Sequence, residues 1–266
     1  MSLNKLTEKD FAVLRAPFES RRQSPHSFGS IFILSIFLQS LMFFLAYVVV
    51  ADKSNYPLQK EMFTIHLIIT VIIILISIVY AIPAVYMKKQ KSQYVISVII
   101  SQNLFGAFPY VFTLFIAGRS NSTENSLMIM TLVTFVIGLF IFVFTCVRFY
   151  NLLQKGNYRK DSRKDKLRGR FETQSYLPFA IIGGVGIVYI IQYIARNFYF
   201  LQLDLILIAI ICLTIFYTML FVLPEQLVIL YCKYRFDSFN YDEDGNLKPM
   251  GMDRKERRNE ESSRSY

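Results

Sequence analysis

The chain has 266 residues, of which 54% are hydrophobic and 18% are charged, and its formal net charge is +10 at pH 7. A soluble domain usually carries about 25% charged residues, whereas the apolar residues here cluster in runs of about 20, enough to cross the hydrocarbon core as a helix. An ordinary soluble domain is therefore excluded, and so is a transmembrane barrel, which would need short alternating segments. The positive charge flanks the apolar runs, where topology explains it better than nucleic-acid binding does.

The first 27 residues form a polar segment with a regular apolar pattern. Thr7 followed by Asp10 is typical of a helix N-cap with an acidic residue in the first turn. Apolar side chains recur every three to five residues, at Leu3, Leu6, Phe11, Leu14 and Phe18. The pattern predicts a short amphipathic helix, which serves either as an interfacial anchor or only as a tail that is frayed at its start.

Six apolar segments follow, and each of them predicts a membrane-crossing helix. They cover residues 28–50, 62–87, 94–117, 126–147, 177–195 and 203–232. Pro83 is expected to kink or stop the second helix, and Pro224 to bend or end the spanning part of the sixth. Gly106 and Pro109 are positioned to break the third helix. The predicted fold class is therefore all-α, a polytopic membrane protein with six transmembrane helices within residues 28–232.

The charges between these segments indicate an orientation. The N-terminal segment carries five Lys or Arg residues, the link Lys88–Lys91 carries three and the loop 148–176 carries nine, whereas the other three links carry two, one and one. Because basic residues stay on the cytoplasmic side, the pattern predicts that both termini are cytoplasmic. Residues 233–266 contain eight basic and eight acidic residues, and we expect them to form a largely disordered charged tail.

The basic loop 148–176 is a candidate contact surface. Lys155–Arg170 within the loop predicts a short surface helix with its own charge pairs. Anionic lipid headgroups at the cytoplasmic face, or a cytoplasmic partner, are the expected contacts. The residues proposed for this contact are Arg159, Lys160, Arg163, Lys164, Lys166, Arg168 and Arg170. The alternative is that the loop only sets the topology, which by itself requires basic residues here.

Three polar residues inside apolar segments are candidates for an intramembrane site. Gln102 and Asn103 lie about 12 Å inside the third segment, counting 1.5 Å per residue from Tyr94. Buried amides in lipid must find partners, so this pair either lines a solute path or joins helices. Glu225 is the third candidate, although its depth places it near the inner boundary. We interpret His66, near the outer end of the second segment, as an interfacial histidine.

The fifth segment contains a face of small residues that predicts close helix packing. Small side chains let helix backbones approach each other closely in membranes. The face consists of Ala180, Gly183, Gly184 and Gly186. A dinucleotide-binding fingerprint is excluded, because that motif requires a strand, a turn and a helix at an aqueous surface.

The sequence lacks the motifs that carry enzymatic or metal chemistry. Cys146, Cys212 and Cys232 form no CxxC pair and there are only two histidines, whereas a zinc site needs about four converging ligands. No HExxH, GxSxG or P-loop pattern occurs. We therefore expect no metal, no cofactor and no enzymatic activity.

Three functional hypotheses remain. The leading one is a non-enzymatic protein of a bacterial cell membrane that acts as an accessory, assembly or immunity-like subunit. It would work through helix–helix contacts with another membrane protein or a second copy of itself. The first alternative is a small solute or ion transporter or channel that uses Gln102, Asn103 and Glu225, and the second is a membrane sensor or adaptor that uses the basic loop. The bilayer and its anionic headgroups are the other expected partners, and nucleic acid is not.

Overall fold

The computed structural model describes residues 3–119, 122–162, 165–166 and 203–251. These residues form eight α-helices, which are α1 (Ala16–Glu19), α2 (Pro25–Phe44), α3 (Gln59–Ala81), α4 (Pro83–Lys88), α5 (Gln90–Gln102), α6 (Phe108–Ala117), α7 (Glu124–Gln154) and α8 (Leu203–Arg235). A 3₁₀ helix at Glu8–Arg15 leads into α1, and shorter 3₁₀ helices lie at Leu3–Lys5, Ala51–Lys53 and Asp237–Phe239. In this part of the chain, β-type pairing is confined to an isolated bridge between Tyr241 and Leu247.

Five helical stretches in the described residues are long and apolar enough to cross a membrane. They are Pro25–Lys53, Gln59–Ala81, Gln90–Ala117, Glu124–Gln154 and Leu205–Arg235. They coincide with five of the six predicted segments, so the structure agrees with an all-α membrane protein. The predicted helix at 177–195 lies outside the described residues.

Prolines affect the spans differently. The predicted interruption at Pro83 is confirmed, because α3 ends at Ala81, Ile82 is extended (ψ 126°) and Pro83 begins α4. Proline is well tolerated at the first position of a helix, where its missing amide hydrogen has no intrahelical acceptor. By contrast, α8 continues through Pro224 to its end at Arg235, so Pro224 does not end that helix.

Gly106 and Pro109 do not break the third span. The backbone between α5 and α6 instead widens into a π-helical turn at Asn103–Ala107 and continues directly as α6. Pro109 cannot donate the hydrogen bond that a regular helix would direct to Phe105, and its ring crowds that carbonyl. The wider turn just before Pro109 relieves this conflict, and such turns are frequent at functional sites.

The end of α7 lies beyond its predicted segment, at a well-defined turn. Gly156 has a left-handed backbone (φ 69°), and its amide donates to the carbonyl of Leu153 (3.0 Å). The amide of Asn157 donates to the carbonyl of Leu152 (3.1 Å). This pair of bonds is the Schellman arrangement, which satisfies the last carbonyls of a helix and stops it.

One helix pair and one central helix organise the bundle. The antiparallel helices α2 and α3 pack along their lengths, and α8 packs against α5, α6 and α7. The approach of α7 to α8 is close at Gly138, where a Cβ atom would lie 3.0 Å from Leu220 Cδ1 and 3.3 Å from Phe216 Cε1. The outward faces of α3 and α7 are apolar, and Phe140 on α7 is 71% exposed, as expected of surfaces that lipid can cover.

The N-terminal segment and residues 236–251 pack on each other at one end of the bundle, which we call the cap end. The rings of Phe11 and Phe236 lie 5.8 Å apart, and those of Phe18 and Phe239 lie 6.2 Å apart, measured between centroids. Tyr241 Oη donates to the carbonyl of Phe18 (2.8 Å). The two ends of the described chain therefore form one folded unit.

This C-terminal stretch differs from the predicted disordered tail. Phe239 and Tyr241 are 0% and 3% exposed, so residues 236–251 bury aromatic side chains of the kind that a disordered segment lacks. The start of the basic loop joins the same end, where Val13 N donates to the carbonyl of Tyr158 (2.9 Å). Residues 252–266 lie outside the described residues.

Candidate functional site

A chain of hydrogen-bonded side chains crosses the interior between α2, α3 and the π-helical turn. Asn103 Nδ2 donates to Gln39 Oε1 (2.7 Å), and Asn103 Oδ1 lies 3.1 Å from His66 Nε2. His66 Nδ1 lies 3.0 Å from Tyr47 Oη, which also lies 3.2 Å from the carbonyl of Met62. We call Gln39, Asn103, His66 and Tyr47 the His66 cluster.

Four elements supply the cluster, and Tyr47 comes from a second π-helical turn, at Leu45–Val50, that continues α2. Gln39 comes from α2, His66 from α3 and Asn103 from the first position of the π-helical turn. They are 0%, 8% and 6% exposed, respectively. The ring of Phe108 lies 4.4 Å from the imidazole, centroid to centroid. Because these polar groups are buried beside apolar side chains, they depend on one another for hydrogen bonds.

The heavy-atom positions of the cluster fit two arrangements of its protons. With Asn103 Oδ1 facing the ring, His66 Nε2 carries a proton, and a neutral ring then leaves Nδ1 as an acceptor. The single hydroxyl proton of Tyr47 would then have to serve both Nδ1 and the carbonyl of Met62. An imidazolium removes this conflict, because Nδ1 becomes a donor to Tyr47 Oη.

The second arrangement keeps the imidazole neutral by rotating both amides through half a turn. Gln39 Nε2 then donates to Asn103 Oδ1, and Asn103 Nδ2 donates to His66 Nε2. His66 Nδ1 donates to Tyr47 Oη, and Tyr47 donates to the carbonyl of Met62. The oxygen and nitrogen of an amide have nearly the same shape, so both arrangements use the same heavy-atom geometry. The second arrangement pairs both imidazole nitrogens while keeping the ring neutral, which is the form that burial favours.

Two buried polar atoms adjoin the cluster without a hydrogen-bond partner among the described residues, namely Gln39 Nε2 and Thr70 Oγ1. The antiparallel contacts Phe43–His66 and Tyr47–Met62 set the register of α2 and α3. One turn further along both helices, the same register brings Gln39 level with Thr70. A buried polar atom that lacks a protein partner is a common site for bound water.

The hydroxyl of Thr70 also departs from the pattern of the helices around it. Threonine hydroxyls in membrane helices usually bond to the carbonyl four residues earlier. Thr64, Thr113 and Thr145 follow this rule, at distances of 3.1, 3.0 and 2.6 Å. Thr70 is only 2% exposed, so its unpaired hydroxyl is a buried polar group between α2 and α3.

The predicted residues Gln102 and Glu225 lie apart from the His66 cluster. Gln102 Nε2 donates to Gln226 Oε1 (3.1 Å) and to the carbonyl of Met219 (3.3 Å), both on α8. Glu225 is half-buried and close enough to Tyr94 to interact with it electrostatically. Gln102 therefore joins α5 to α8, whereas its neighbour Asn103 joins the π-helical turn to α2 and α3.

Of the residues predicted to contact anionic lipid, Arg159 has an internal partner. Its Nε donates to Asp10 Oδ1 (2.6 Å), and the side chains of Arg159 and Asp10 are 63% and 5% exposed. Lys160 and Lys166 are exposed. The predicted surface helix is not formed by residues 155–162, which make turns. Arg163, Lys164, Arg168 and Arg170 lie outside the described residues.

Asp10 links the N-terminal segment to the start of the loop. The predicted helix start is confirmed, because Thr7 is the N-cap and Asp10 lies in the first turn. Thr7 N and Oγ1 also donate to Asp10 Oδ2 at 2.8 and 2.9 Å. Burial by itself raises the pKa of the Asp10 carboxyl, but the hydrogen bonds from Thr7 and Arg159 outweigh it and lower that pKa. The ionised carboxylate is therefore the form that holds this contact.

The small-residue face of the fifth segment lies outside the described residues, together with all of its members, Ala180, Gly183, Gly184 and Gly186. Among the described residues, Cys146, Cys212 and Cys232 are free thiols. The same residues contain no group of three or more His, Cys, Asp or Glu side chains that could hold a metal ion.

Sequence reasoning missed the central roles of Gln39 and His66. Gln39 is an isolated amide within the first apolar segment, and that isolation is the signal that would have identified it. His66 lies near one end of α3, and its position in the sequence gives no sign that it contacts Asn103. The structure shows that its ring is buried within the bundle.

The chain matches no protein-family model, and neither a curated protein nor a solved structure is significantly similar to it. The function of this chain is therefore inferred from its own geometry.

Proposed function

We propose that this chain is a non-enzymatic, multi-pass protein of a bacterial cell membrane that acts as an accessory, assembly or immunity-like subunit through helix–helix contacts. The observation that carries the proposal is that the polar residues of the apolar helices form hydrogen bonds to other helices. Gln102 bonds to Gln226 on α8, and Asn103 bonds to Gln39 and His66 on two other helices. Polar contacts of this kind fix the positions of membrane helices relative to one another. A bundle held in this way presents preformed apolar surfaces to a partner.

The proposed topology has six crossings with both termini in the cytoplasm. Tyr158 lies at the cap end, whereas Leu205 lies at the opposite end beside Arg119. A chain that leaves the cap end after residue 166 and enters α8 at the opposite end makes one further crossing, for which 177–195 is the apolar candidate. The basic link Lys88–Lys91 also lies at the cap end, which favours the cytoplasmic side for it.

Labelling of single cysteines tests this topology. In a variant without the native cysteines, we place one cysteine at Ser122 and, separately, one at Lys160. A membrane-impermeant maleimide applied to intact cells should label position 122 alone and should reach position 160 only after the cells are opened. The opposite labelling pattern would show that the protein has the inverted orientation, and labelling of both positions from outside would contradict the topology.

Isolation of the tagged protein from its native membrane tests the functional proposal. We expect a second membrane protein in a fixed molar ratio, or a defined homo-oligomer, that survives washing in mild detergent. The molar ratio of partner to tagged protein should fall for Asn103→Leu, which loosens the bundle. It should be unchanged for Asn151→Leu, a matched change at an exposed amide of α7. Recovery of a lone monomer would contradict the proposal.

A second candidate, a small solute or ion transporter, is favoured by one specific observation. Gln39 Nε2 and Thr70 Oγ1 have no hydrogen-bond partner beside the buried His66, and ionisable groups inside membranes commonly mark ion pathways. Proteoliposomes with an imposed pH gradient test this candidate. Proton or solute flux that is lost in Asn103→Leu and retained in Asn151→Leu would establish transport and replace the subunit proposal.

A further inference from the structure

A cavity of about 340 Å³ opens at the cap end, between the junction of α4 and α5 and the C-terminal residues. Four lysines line it, namely Lys88, Lys89, Lys91 and Lys248, and Asp237 is the acidic side chain in its lining. Three of the lysines are neighbours in sequence, but Lys248 is more than 150 residues away. The fold therefore brings the fourth positive charge to this cavity.

A pair of reciprocal hydrogen bonds connects the two halves of the cavity wall. Gln90 Nε2 donates to the carbonyl of Tyr241 (3.1 Å), and Tyr241 N donates to Gln90 Oε1 (2.9 Å). Gln90 thus pairs with the backbone of Tyr241 as a neighbouring β-strand would. Tyr241 is anchored in turn to the N-terminal segment through the carbonyl of Phe18. The wall is consequently part of the folded cap end.

The backbone of Lys248 is held on both sides. Its amide donates to the carbonyl of Asn240 (3.1 Å), and its carbonyl accepts from Arg15 Nη2 (2.9 Å). Lys91 is also restrained, because its Nζ lies 5.3 Å from the centre of the Tyr234 ring. The fold therefore places the backbone of Lys248 and restrains the ammonium group of Lys91, which lowers the entropy cost of using Lys91 in binding.

The charge around the cavity is unbalanced. Four lysines and one aspartate line it, and like charges in one site repel each other unless an anion enters. Further positive potential comes from the start of α5, where the first amide hydrogens of the helix lack intrahelical acceptors and Gln90, Lys91 and Ser92 line the cavity. The cavity therefore favours a multivalent anion over a monovalent one.

We propose that this cavity binds a phosphate-class anion, either the phosphomonoester headgroup of a lipid or a soluble phosphate. Lysine is an effective phosphate ligand because it offers a compact charge with three donors. The volume falls within the usual range for small-ligand sites, about 300–1,000 Å³. The site differs from the basic loop in position and residues, and it does not depend on the subunit proposal.

Isothermal titration calorimetry on the full-length protein in phosphatidylcholine nanodiscs tests the proposal. The probes are dihexanoyl phosphatidic acid, inorganic phosphate and, as a neutral comparison, dihexanoyl phosphatidylcholine. We expect saturable binding of an anionic probe that weakens as salt rises, because the contacts are ionic. Binding of the phosphatidic acid alone identifies a lipid headgroup, whereas binding of both anions identifies the phosphate group itself as the ligand.

Matched lysine variants show where the anion binds. In Lys89→Gln combined with Lys248→Gln, two charged contacts are lost, and affinity should fall by at least about tenfold. Lys53→Gln combined with Lys60→Gln removes the same charge at the opposite end of the bundle and should leave affinity within about twofold of the wild type. Lys88→Gln combined with Lys89→Gln changes exposed side chains only, so it provides a second binding variant that should fold normally.

Three results would overturn the proposal. One is that neither anion binds with saturation, and another is that the two variants at the cavity bind as tightly as the wild type. The third is an equal loss of affinity in the control at the opposite end, because this would show a response to net charge alone. Circular dichroism of each variant checks that its helix content matches that of the wild type.

Discussion

Replacing Asn103 with leucine removes the polar group at the centre of the His66 cluster. The variant loses the hydrogen bonds to Gln39 (2.7 Å) and to His66 (3.1 Å). Hydrogen bonds between membrane helices contribute about 0.6 kcal/mol on average and at most about 1.7 kcal/mol each. Two such bonds correspond to a loss of about 1–3 kcal/mol in the free energy of unfolding.

A double-mutant cycle tests whether the loss belongs to the cluster. Unfolding is followed by circular dichroism as SDS is added to protein in mild micelles. Gln39→Leu alone should also destabilise, but the combination with Asn103→Leu should cost less than the sum of the two single changes, because the shared bond can be lost only once. The matched control Asn151→Leu should stay within about 0.5 kcal/mol of the wild type. The role of Asn103 in the cluster is contradicted if the unfolding free energy of Asn103→Leu equals that of this control, or if the effects of the two cluster mutations are additive.

Three further predictions concern the ends of the bundle. Because the pKa of Asp10 is lowered in the folded protein, its stabilising effect is complete above the unfolded pKa of about 3.9 and is lost as the pH falls towards the folded value. The protection factors of residues 8–19 against hydrogen exchange, which are corrected for the pH dependence of intrinsic exchange, should therefore fall below about pH 4 in the wild type and fall less in Asp10→Asn. Burial raises the pKa of Tyr241 to about 12. The protonated phenol therefore stabilises the fold below about pH 10, and this contribution disappears as the pH rises to the folded value. The melting temperature should fall less between pH 10 and pH 12 in Tyr241→Phe than in the wild type. Gly118→Ala should lower the melting temperature in detergent, because the added Cβ would lie 2.9 Å from Tyr56 N, and an unchanged melting temperature would contradict the close approach.

Local sequence signals predicted the features that depend on neighbouring residues. The apolar runs located five spans, Pro83 marked the break between α3 and α4, and Thr7 with Asp10 marked the start of the N-terminal helix. Each of these rests on the physics of a few adjacent residues, such as hydrocarbon length or a missing amide hydrogen.

The remaining features depend on contacts between distant parts of the chain. Lys248 joins the lysines of the α4–α5 junction only because Gln90 pairs with the backbone of Tyr241. Likewise, the tail composition predicted disorder, since its charge pattern carries no information about the N-terminal aromatic residues that cover Phe239. Gly106 and Pro109 marked an irregular place in the third span, but they did not indicate that the backbone would form a π-helical turn there and present Asn103 to His66.

Quantitative isolation of the wild-type protein and Asn103→Leu from native membranes tests the proposed subunit role most directly. We predict that the wild type is recovered with a fixed molar ratio of a membrane partner or as a defined homo-oligomer, that this ratio falls for Asn103→Leu, and that neither protein moves protons or solute in proteoliposomes. Recovery of the wild type as a lone monomer, together with a flux that Asn103→Leu abolishes, would contradict the proposal and establish a transporter.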